Sequence, residues 1–385
     1  MVAFFQRYGI CILLLSFSLR SYSQYKITLV VKQPSVLHSA DSMFVAGNFN
    51  SWDPGDKNFL LTKNNDGTAS ITFSLPQGNY EYKITRGSWY KVETAANGSG
   101  SQNRELPLSG DTTVNIEVKG WSDDFKTGTP ARTHSASKNV SIIDTAFFMP
   151  QLKRYRRIWI YLPPDYKTSE KKYPVLYMHD GQNLFDNATA YAGEWGVDEF
   201  LDSIFTLHQK EVIVVGIDNG LAKRMNEYNP YSFQQFGKGE GDKYVDFLVK
   251  TLKPFIDKHY RTKGNKANTY IAGSSMGGLI SLYAVLKYPG VFGGAGIFSP
   301  AFWTASGIDS AVMVKSIKVN SRLFFYCGGK ENSTMVPDME RIRKEITSVS
   351  KSPVKEIIDA DAQHNESAWR RHFPEFYDWT IIDSN

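Results

Sequence analysis

Short, nearly continuous apolar runs alternate with helical patterns through the C-terminal two thirds of the chain, and this alternation limits the fold more than any other feature. Runs without polar positions are typical of strands that are buried on both faces of a parallel sheet. Between them, apolar residues at 245, 248, 249, 252 and 256 follow the spacing of an amphipathic helix. We therefore predict an α/β fold, a mostly parallel sheet with helices on both faces. Its strands are predicted at 157–162, 175–178, 212–215, 270–272, 294–298 and 323–326.

The N-terminal part of the chain shows a different pattern, in which apolar and polar residues alternate with period two. Four such runs lie at 25–31, 71–75, 80–84 and 114–118, and turn signals such as Asn65-Asp66-Gly67 separate them. Short, regularly spaced strands without helices are typical of a small β-sandwich. We predict an all-β sandwich domain over 24–119, a linker over 120–139 and the α/β domain over 140–385.

The first 23 residues have the pattern of a secretory signal peptide. Arg7 precedes an apolar run over 10–15, and Ser21-Tyr22-Ser23 has small residues at both positions that a signal peptidase reads. A membrane anchor is the alternative, but the run is much shorter than the ~20 residues that span a bilayer, and Arg20 interrupts it. We predict cleavage before Gln24 and an exported protein, periplasmic or extracellular.

Charge and cysteine content disfavour several function classes. Without Arg7 and Arg20 the mature chain would carry 42 basic and 39 acidic residues, a net charge of +3 with no basic run. Binding to nucleic acid or to an anionic membrane is therefore not indicated. With Cys11 in the signal peptide, Cys327 cannot form an intramolecular disulfide and is predicted to be a small buried hydrophobe. Because His and Cys residues show no metal-ligand spacing, we expect no metal and no cofactor.

A serine lies between a predicted strand and a helical pattern, in the segment Gly273-Ser274-Ser275-Met276-Gly277. This is the setting of a nucleophile elbow, a sharp turn that raises the serine hydroxyl above the sheet. Glycines on both sides allow a strained turn. The motif alone arises by chance in roughly one protein in ten of this length, so its interpretation depends on finding partners for Ser275.

A serine hydroxyl needs a base to take its proton and a carboxylate to orient that base. In the chain order of this architecture the acid and the histidine follow the serine, which leaves His364 and His372. His372 lies in a helical pattern, whereas His364 lies on a polar loop after a strand-like run, so we select His364. Glu331, which follows the strand at 323–326, is the predicted acid, and Asp338 on the next helical pattern is the alternative.

Two backbone N–H groups should stabilise the oxyanion of the tetrahedral intermediate. Met276, directly after the nucleophile, is expected to supply the first. The second is expected from the loop after the strand at 175–178, at Gln182 with Gly181 beside it. His179, at the end of that strand and next to Asp180, is predicted to order the loop and not to react.

Four further residues follow predicted strands and are candidates to line the substrate pocket. Aromatic residues on such loops also serve packing, and that alternative stays open. The candidates are Trp195, Arg224, Tyr228 and Trp303. Residues 232–241 are predicted to form a mobile lid.

Residues from about 147 to 379 resemble the Putative esterase family, which includes esterase D, bacterial feruloyl esterases and enterochelin esterases. The resemblance implies an α/β-hydrolase fold, and it places Ser275, Glu331 and His364 on the family's serine, acid and histidine positions. Glu331 departs from many members, which have aspartate there. The matching segments are Tyr161-Leu162-Pro163-Pro164-Asp165-Tyr166, the loop from His179 to Phe185, Arg224 with Asn226-Glu227-Tyr228, Gly273 to Gly278, and His364.

The N-terminal domain resembles starch-binding-type carbohydrate modules. The resemblance implies a glycan-binding surface, in which Trp89 is the main candidate and Trp52 and Asn103 are further ones, because indole faces stack on sugar rings. The alternative is a spacer domain with Trp52 in its core. The matching segments are Phe44-Val45-Ala46-Gly47-Asn48-Phe49-Asn50-Ser51-Trp52, Tyr80-Glu81-Tyr82-Lys83, Arg86-Gly87-Ser88-Trp89, Val92-Glu93 and Asn103-Arg104.

Together these features predict an exported serine esterase with a Ser-His-Glu triad that acts through an acyl-enzyme. The expected substrate is a small-molecule or glycan-linked ester of feruloyl or acetyl type, with polysaccharide as a partner of the N-terminal module. Alternatives are a catecholate siderophore esterase, an acyltransferase to a sugar, and a glycan-binding protein without catalytic activity. Neither a nucleic-acid partner nor a membrane span is expected.

Overall fold

A computed structural model describes residues 24–33, 38–50, 52–127, 133–191, 193–207, 211–233 and 237–383. The predicted signal peptide, residues 1–23, lies outside these ranges. The chain divides into two compact units between Thr129 and Pro130. Within the described ranges, no helix is long and apolar enough to cross a membrane.

The first unit is rich in strands, which confirms the predicted all-β fold. Its strands are β1 (Gln24–Lys32), β2 (Phe44–Gly47), β3 (Thr62–Lys63), β4 (Thr68–Pro76), β5 (Gly78–Thr85), β6 (Glu93–Thr94), β7 (Arg104–Leu108), β8 (Thr112–Glu117) and β9 (Gly120–Trp121). One sheet has the order β3-β4-β1-β8, a second has β2-β5-β7, and β6 pairs with β9. Ile27, Leu29 and Val31 alternate with less buried residues along β1, so the period-two pattern marks the side of the strand that faces the core.

Regular structure continues beyond residue 119, where we predicted the linker to begin. Trp121 lies opposite Glu93 in the β6–β9 pair, and its indole is fully buried. The Arg86 guanidinium lies 4.9 Å from the indole centroid and also binds Asp41 and Asp123. Residues 120 and 121 therefore pack with the first unit, because this indole fills part of its core.

The second unit contains one eight-stranded sheet. Its strands are β10 (Val140–Met149), β11 (Arg154–Tyr161), β12 (Val175–His179), β13 (Ile213–Ile217), β14 (Thr269–Ser274), β15 (Gly294–Phe298), β16 (Arg322–Gly328) and β17 (Val354–Asp359). The order is β10-β11-β13-β12-β14-β15-β16-β17; β10 and β11 pair antiparallel, and β11 is antiparallel to β13. All strands from β13 to β17 in this order are parallel, which confirms the predicted mostly parallel sheet.

Helices cover both faces of this sheet, and each face has its own apolar core. They are α1 (Val197–Phe205), α2 (Arg224–Glu227), α3 (Gly241–Phe247), α4 (Lys253–His259), α5 (Met276–Lys287), α6 (Ile308–Lys315), α7 (Met335–Val349) and α8 (Glu366–Tyr377). Helices α3 to α7 bury apolar residues against one face, and α1 and α8 do so against the other. A π-helical turn, Leu248–Leu252, joins α3 to α4.

Asp198, in the first turn of α1, is a fully buried carboxyl group that contacts the segment before β10. Its Oδ2 accepts the N–H of Ser137 at 2.7 Å, and its Oδ1 has no hydrogen-bond partner among the described residues. Burial raises the pKa of Asp198 to about 8, and the neighbouring Glu199 adds to the increase. Since the folded protein retains this proton and the unfolded chain does not, the group makes folding less favourable as pH rises from ~4 to about 8.

Replacing Asp198 with asparagine is therefore expected to reduce the loss of stability that occurs as pH rises. The amide keeps an acceptor for Ser137 and carries no charge. Between about pH 5 and about pH 9, the melting temperature of the variant should fall less than that of the wild type. The two melting temperatures should differ by roughly 2–4 °C for each 1 kcal/mol of difference in the free energy of unfolding. Equal losses in both proteins would show that Asp198 is not the titrating group.

Candidate active site

The predicted triad residues all follow strands of the second unit. Ser275 follows β14 directly, Glu331 lies three residues after β16, and His364 lies on the loop after β17. Because these strands are parallel, their carboxyl ends lie at one edge of the sheet. The fold therefore brings three segments that are distant in sequence to the same edge.

Ser275 occupies a strained turn between β14 and α5. Its φ of 59° and ψ of −119° are unusual for a residue with a side chain, and such strain is typical of functional sites. Its N–H donates to Phe298 O at 2.9 Å, and its carbonyl accepts the N–H of Ala301 at 3.1 Å. The residue is half-buried, whereas Ser274 and Met276 on either side are buried.

Two glycines of the elbow are required by close contacts. A Cβ on Gly273 would lie 2.9 Å from Cδ2 of His179, and one on Gly278 would lie 2.8 Å from the carbonyl oxygen of Phe298. Real Cβ atoms almost never approach other atoms so closely. Gly273 of the motif and Gly278 directly after it therefore allow the elbow to pack against β12 and β15.

Glu331 and His364 form a hydrogen-bonded pair. Nδ1 of His364 lies 2.7 Å from Oε2 of Glu331, and the other carboxylate oxygen accepts from the N–H of Gly328 at 2.7 Å. The Glu331 side chain is almost fully buried, whereas that of His364 is exposed. Burial alone would raise the pKa of Glu331, but His364 and the hydrogen-bond donors hold it below its usual range. Glu331 is therefore a carboxylate at neutral pH.

The pairing at Nδ1 leaves Nε2 of His364 for a proton of Ser275, the orientation that a general base requires. Among the described residues, no hydrogen bond joins Ser275 Oγ to His364. Such contacts often form only when substrate binds. Ser275 and Glu331 are nevertheless linked through neighbouring residues, since Phe298 O accepts the N–H of Ser275 and Ser299 Oγ donates to Glu331 at 2.5 Å.

The alternative acid and histidine have other partners. Asp338 lies on α7 and pairs with Arg341 at 3.1 Å. His372 lies on α8, with Nε2 3.0 Å from Asp359 and its ring against Tyr326. The geometry therefore favours Glu331 over Asp338 as the acid and His364 over His372 as the base.

The predicted oxyanion loop follows β12 as a single 3-10 turn, Gly181–Asn183. The Gln182 carbonyl accepts from Thr189 Oγ1 at 2.8 Å, and its side chain accepts the N–H of Asn219 at 3.2 Å. Gln182 N and Met276 N lie in the first turns of their helices, where no intrahelical acceptor exists. Both amides are therefore available as donors. Gly181 is buried and packs against the backbone of Gly216 and Ile217.

A buried charge network supports this loop. Asp180 accepts from Arg224 Nε at 2.7 Å, from Arg224 Nη2 at 2.8 Å and from Asn219 at 2.7 Å. Asp180 donates its own N–H to the Tyr228 hydroxyl at 3.2 Å. Arg224 keeps the pKa of Asp180 below its usual range despite burial. His179 Nδ1 lies 2.9 Å from the Tyr244 hydroxyl, and burial lowers the pKa of His179 to about 3, so this imidazole is neutral.

Two of the four candidates for the substrate pocket have little or no exposed surface in this conformation. Tyr228 is fully buried, and Trp195 is buried and stacks on Trp369 with ring centroids 5.8 Å apart. Both fill apolar cores, so we assign them to packing and positioning. Arg224 is half-buried and paired with Asp180.

Trp303 is the candidate best placed to contact substrate. It is half-buried on the turn after β15, two residues beyond Ala301, whose N–H binds the carbonyl of Ser275. Its ring meets that of Phe233 in the predicted lid at 6.0 Å. Phe233 pairs with Gly237 through two backbone hydrogen bonds, and residues 234–236 between them lie outside the described ranges.

In the first unit, Trp52 and Trp89 lie next to each other. Their ring centroids are 6.2 Å apart, and both are half-buried. Asn103 is exposed and donates to Glu81 at 2.9 Å, whose N–H in turn donates to Asn48 in the turn before Trp52. Trp52 is thus partly exposed beside Trp89 and is not a core residue.

Three side chains around the triad were not predicted from the sequence: Ser299, Glu366 and Trp369. Ser299 binds Glu331, Trp369 binds Ser299, and Glu366 accepts from Asn183 of the oxyanion loop at 3.2 Å. For Ser299 the available signal was a small polar residue directly after a buried strand. In the described part of the chain, no group of three or more His, Cys, Asp or Glu residues could hold a metal ion.

Family models match both parts of the chain. Residues 39–120 match the Pullulanase X25 domain, and residues 150–377 match the model described as Putative esterase. Over 262 residues the chain is 28% identical to an endo-1,4-beta-xylanase/feruloyl esterase of Xylanibacter ruminicola, a match that covers 66% of this chain and 33% of that protein. Over 99 residues it is 42% identical to an alpha-amylase of Niallia circulans, covering 25% of this chain and 8% of that protein.

A solved structure extends the similarity to nearly the whole chain. An enterochelin esterase of Shigella flexneri has a TM-score of 0.52 and 16% identity, and the match covers 94% of this chain and 92% of that one. At this identity the likeness concerns the fold. The Putative esterase match, however, spans more than half of the 385 residues. This chain therefore belongs to the Putative esterase family and has an X25-type domain before its esterase domain.

Proposed function

We propose that this protein is a serine esterase that forms an acyl-enzyme at Ser275. The observation that carries the proposal is the Glu331–His364 pair, because it fixes the imidazole with Nε2 free at the edge where the strained elbow presents Ser275. An esterase activity agrees with membership of the family.

In the proposed reaction, Ser275 Oγ attacks the ester carbonyl carbon while Nε2 of His364 takes the hydroxyl proton. The oxyanion accepts hydrogen bonds from the amides of Met276 and Gln182. Collapse of the intermediate breaks the bond to the alcohol, which leaves with the proton from His364. Water then attacks the acyl-enzyme by the same steps and releases the acid and Ser275.

We further propose a carbohydrate-linked ester as the substrate and an exported location for the enzyme. The X25-type domain and the xylanase/feruloyl esterase relative support the substrate class. The pattern of residues 1–23 supports export. A glycan-binding domain next to an esterase domain would hold the enzyme on the polymer that bears its ester groups.

A panel of feruloyl, acetyl and catecholate esters tests this assignment. We expect the highest kcat/KM on a feruloyl or acetyl ester of a sugar. A preference for the catecholate ester would favour a siderophore esterase instead. Product analysis with an added sugar acceptor separates hydrolysis from acyl transfer, since a transferase would form a new sugar ester.

The paired indoles of the first unit should carry binding to polysaccharide. Replacing Trp52 and Trp89 together with alanine is expected to weaken affinity for soluble starch or pullulan about tenfold or more, since each lost stacking contact costs about 1 kcal/mol. Affinity gel electrophoresis measures this retention. Tyr155→Ala, which removes an exposed aromatic ring from the second unit, is the matched control and should migrate like the wild type. Equal retention of the double variant and the control would contradict a binding role for the two indoles.

A further inference from the structure

Two side chains outside the triad form a hydrogen-bonded chain that ends on Glu331. The indole Nε1–H of Trp369 donates to Ser299 Oγ at 2.9 Å, and the Ser299 hydroxyl donates to Oε1 of Glu331 at 2.5 Å. The Trp369 ring also meets the His364 ring at a centroid distance of 5.0 Å and an angle of 88°. Trp369 thus contacts His364 directly and reaches Glu331 through Ser299.

The direction of this chain is fixed by chemistry, because an indole N–H can only donate. With its lone pair engaged by Trp369, the Ser299 hydroxyl directs its own proton to Oε1 of Glu331. The other carboxylate oxygen, Oε2, then remains for His364 Nδ1 at 2.7 Å. Each carboxylate oxygen therefore has its own donors, and the carboxylate plane cannot rotate without breaking them.

The backbone of Ser299 supports the same interpretation. Its φ of 43° is rare for a residue other than glycine, and the residue is fully buried. Its N–H donates to Tyr326 O at 2.6 Å, which connects the end of β15 to β16. Such a conformation persists only where surrounding contacts enforce it, and it clusters at functional sites.

Helix α8 places Trp369 at this position. The Asn365 side chain caps the helix by accepting the N–H of Ala368 at 3.0 Å, directly after His364. In the same first turn, Glu366 accepts from Asn183 of the oxyanion loop. The start of α8 therefore fixes the loop that carries His364 relative to both the acid and the oxyanion loop.

We propose that Trp369 and Ser299 are positioning residues that fix the Glu331 carboxylate and, through it, the orientation of the His364 imidazole. The proposal rests on the proposed function of the triad. Neither side chain contacts the reacting atoms, so its loss should lower kcat and leave KM nearly unchanged. A base displaced by about 1 Å can lose about a hundredfold in rate.

Three single variants and one double variant test this role. Trp369→Phe keeps an aromatic ring and removes the N–H, and Ser299→Ala removes the hydroxyl. Trp159→Phe is the matched control, because Trp159 on strand β11 is similarly buried in the same apolar core and donates its indole N–H to Asp218 at 2.8 Å. Trp369→Phe and Ser299→Ala should each lower kcat about tenfold to a hundredfold. Because both act through one chain, the double variant should lose little more than the worse single variant.

Two readouts separate positioning from a loss of packing. These are the rate at which a fluorophosphonate labels Ser275 and the far-downfield proton resonance of His364 Nδ1–H in the NMR spectrum. We expect the labelling rate and the intensity of this resonance to decrease in Trp369→Phe and Ser299→Ala and to stay unchanged in Trp159→Phe. The proposal is overturned if the two variants label as fast as the control, or if all three lose activity and melting temperature equally.

Failure of the proposed function would look different. The wild type itself would then neither hydrolyse esters nor be labelled at Ser275. The NMR resonance would still report on the Glu331–His364 contact, and its persistence in both variants would overturn the positioning role independently.

Discussion

Replacing Ser275 with alanine is expected to lower kcat for hydrolysis of a p-nitrophenyl ester by about five to six orders of magnitude. This is the scale of loss when a serine hydrolase loses its nucleophile, because the remaining oxyanion donors accelerate only the attack of water. Initial rates over a range of substrate concentrations measure it. The loss should appear in kcat, since the pocket that binds the ester is intact.

The adjacent serine provides the matched control for this variant. Ser274 is buried at the end of β14 and accepts a long contact from Arg224 through its carbonyl oxygen, which alanine retains. Ser274→Ala should therefore keep activity within about tenfold of the wild type, because the change removes only a small buried hydroxyl group. Equal activity of Ser275→Ala and the wild type would exclude Ser275 as the nucleophile.

The second large effect is expected at the acid. Glu331→Gln should lower kcat by about four orders of magnitude, because an amide can donate to Nδ1 of His364 and so stabilise the wrong tautomer, with no charge to stabilise the imidazolium. Since His364 and the hydrogen-bond donors lower the pKa of Glu331, the wild-type carboxylate stays charged well below neutral pH. Steady-state kinetics at neutral pH measure the difference.

Asp338→Asn is the control that separates the two acids considered from the sequence. Asp338 pairs with Arg341 on α7, and in the described part of the chain it shares no hydrogen bond or ion pair with His364, so activity should remain near the wild-type value. If Asp338→Asn lost activity while Glu331→Gln retained it, the acid would be misassigned. The folded state of both variants is checked by thermal melting.

The depressed pKa of Glu331 also sets the sign of its effect on stability. A carboxyl group whose pKa is lower in the folded state stabilises the protein above its unfolded pKa of 4.5, and this contribution is lost as pH falls below that value. The paired Glu331 should therefore make the wild type more sensitive to acid than Glu331→Gln.

The architecture was predictable because strands that are buried on both faces have continuous apolar sequences. Strands β12 to β16 are buried on both faces, and their continuous apolar runs placed each of them within a few residues. The edge strand β10 was not predicted. Two register shifts, between Ile142 and Asp144 and between Asp144 and Phe147, disrupt its alternation, and much of its surface is exposed.

The candidate site likewise contains residues that could be predicted from the sequence and residues that could not. Ser275, Glu331 and His364 could be selected because each follows a recognisable strand and the chemistry requires their types. Ser299 and Trp369 could not, because the position of Ser299 directly after a buried strand does not reveal that its partners lie 32 and 70 residues away. Their roles depend on side-chain directions that appear only when α8 packs on the sheet.

Mass spectrometry of the protein after reaction with a fluorophosphonate, followed by peptide mapping, tests most directly whether Ser275 is the nucleophile. We expect one adduct per chain, on Ser275, formed by the wild type and absent in Ser275→Ala. We also expect much slower labelling of His364→Ala, in which no base activates the hydroxyl. Labelling of another residue, or labelling that continues in Ser275→Ala, would contradict an acyl-enzyme at Ser275.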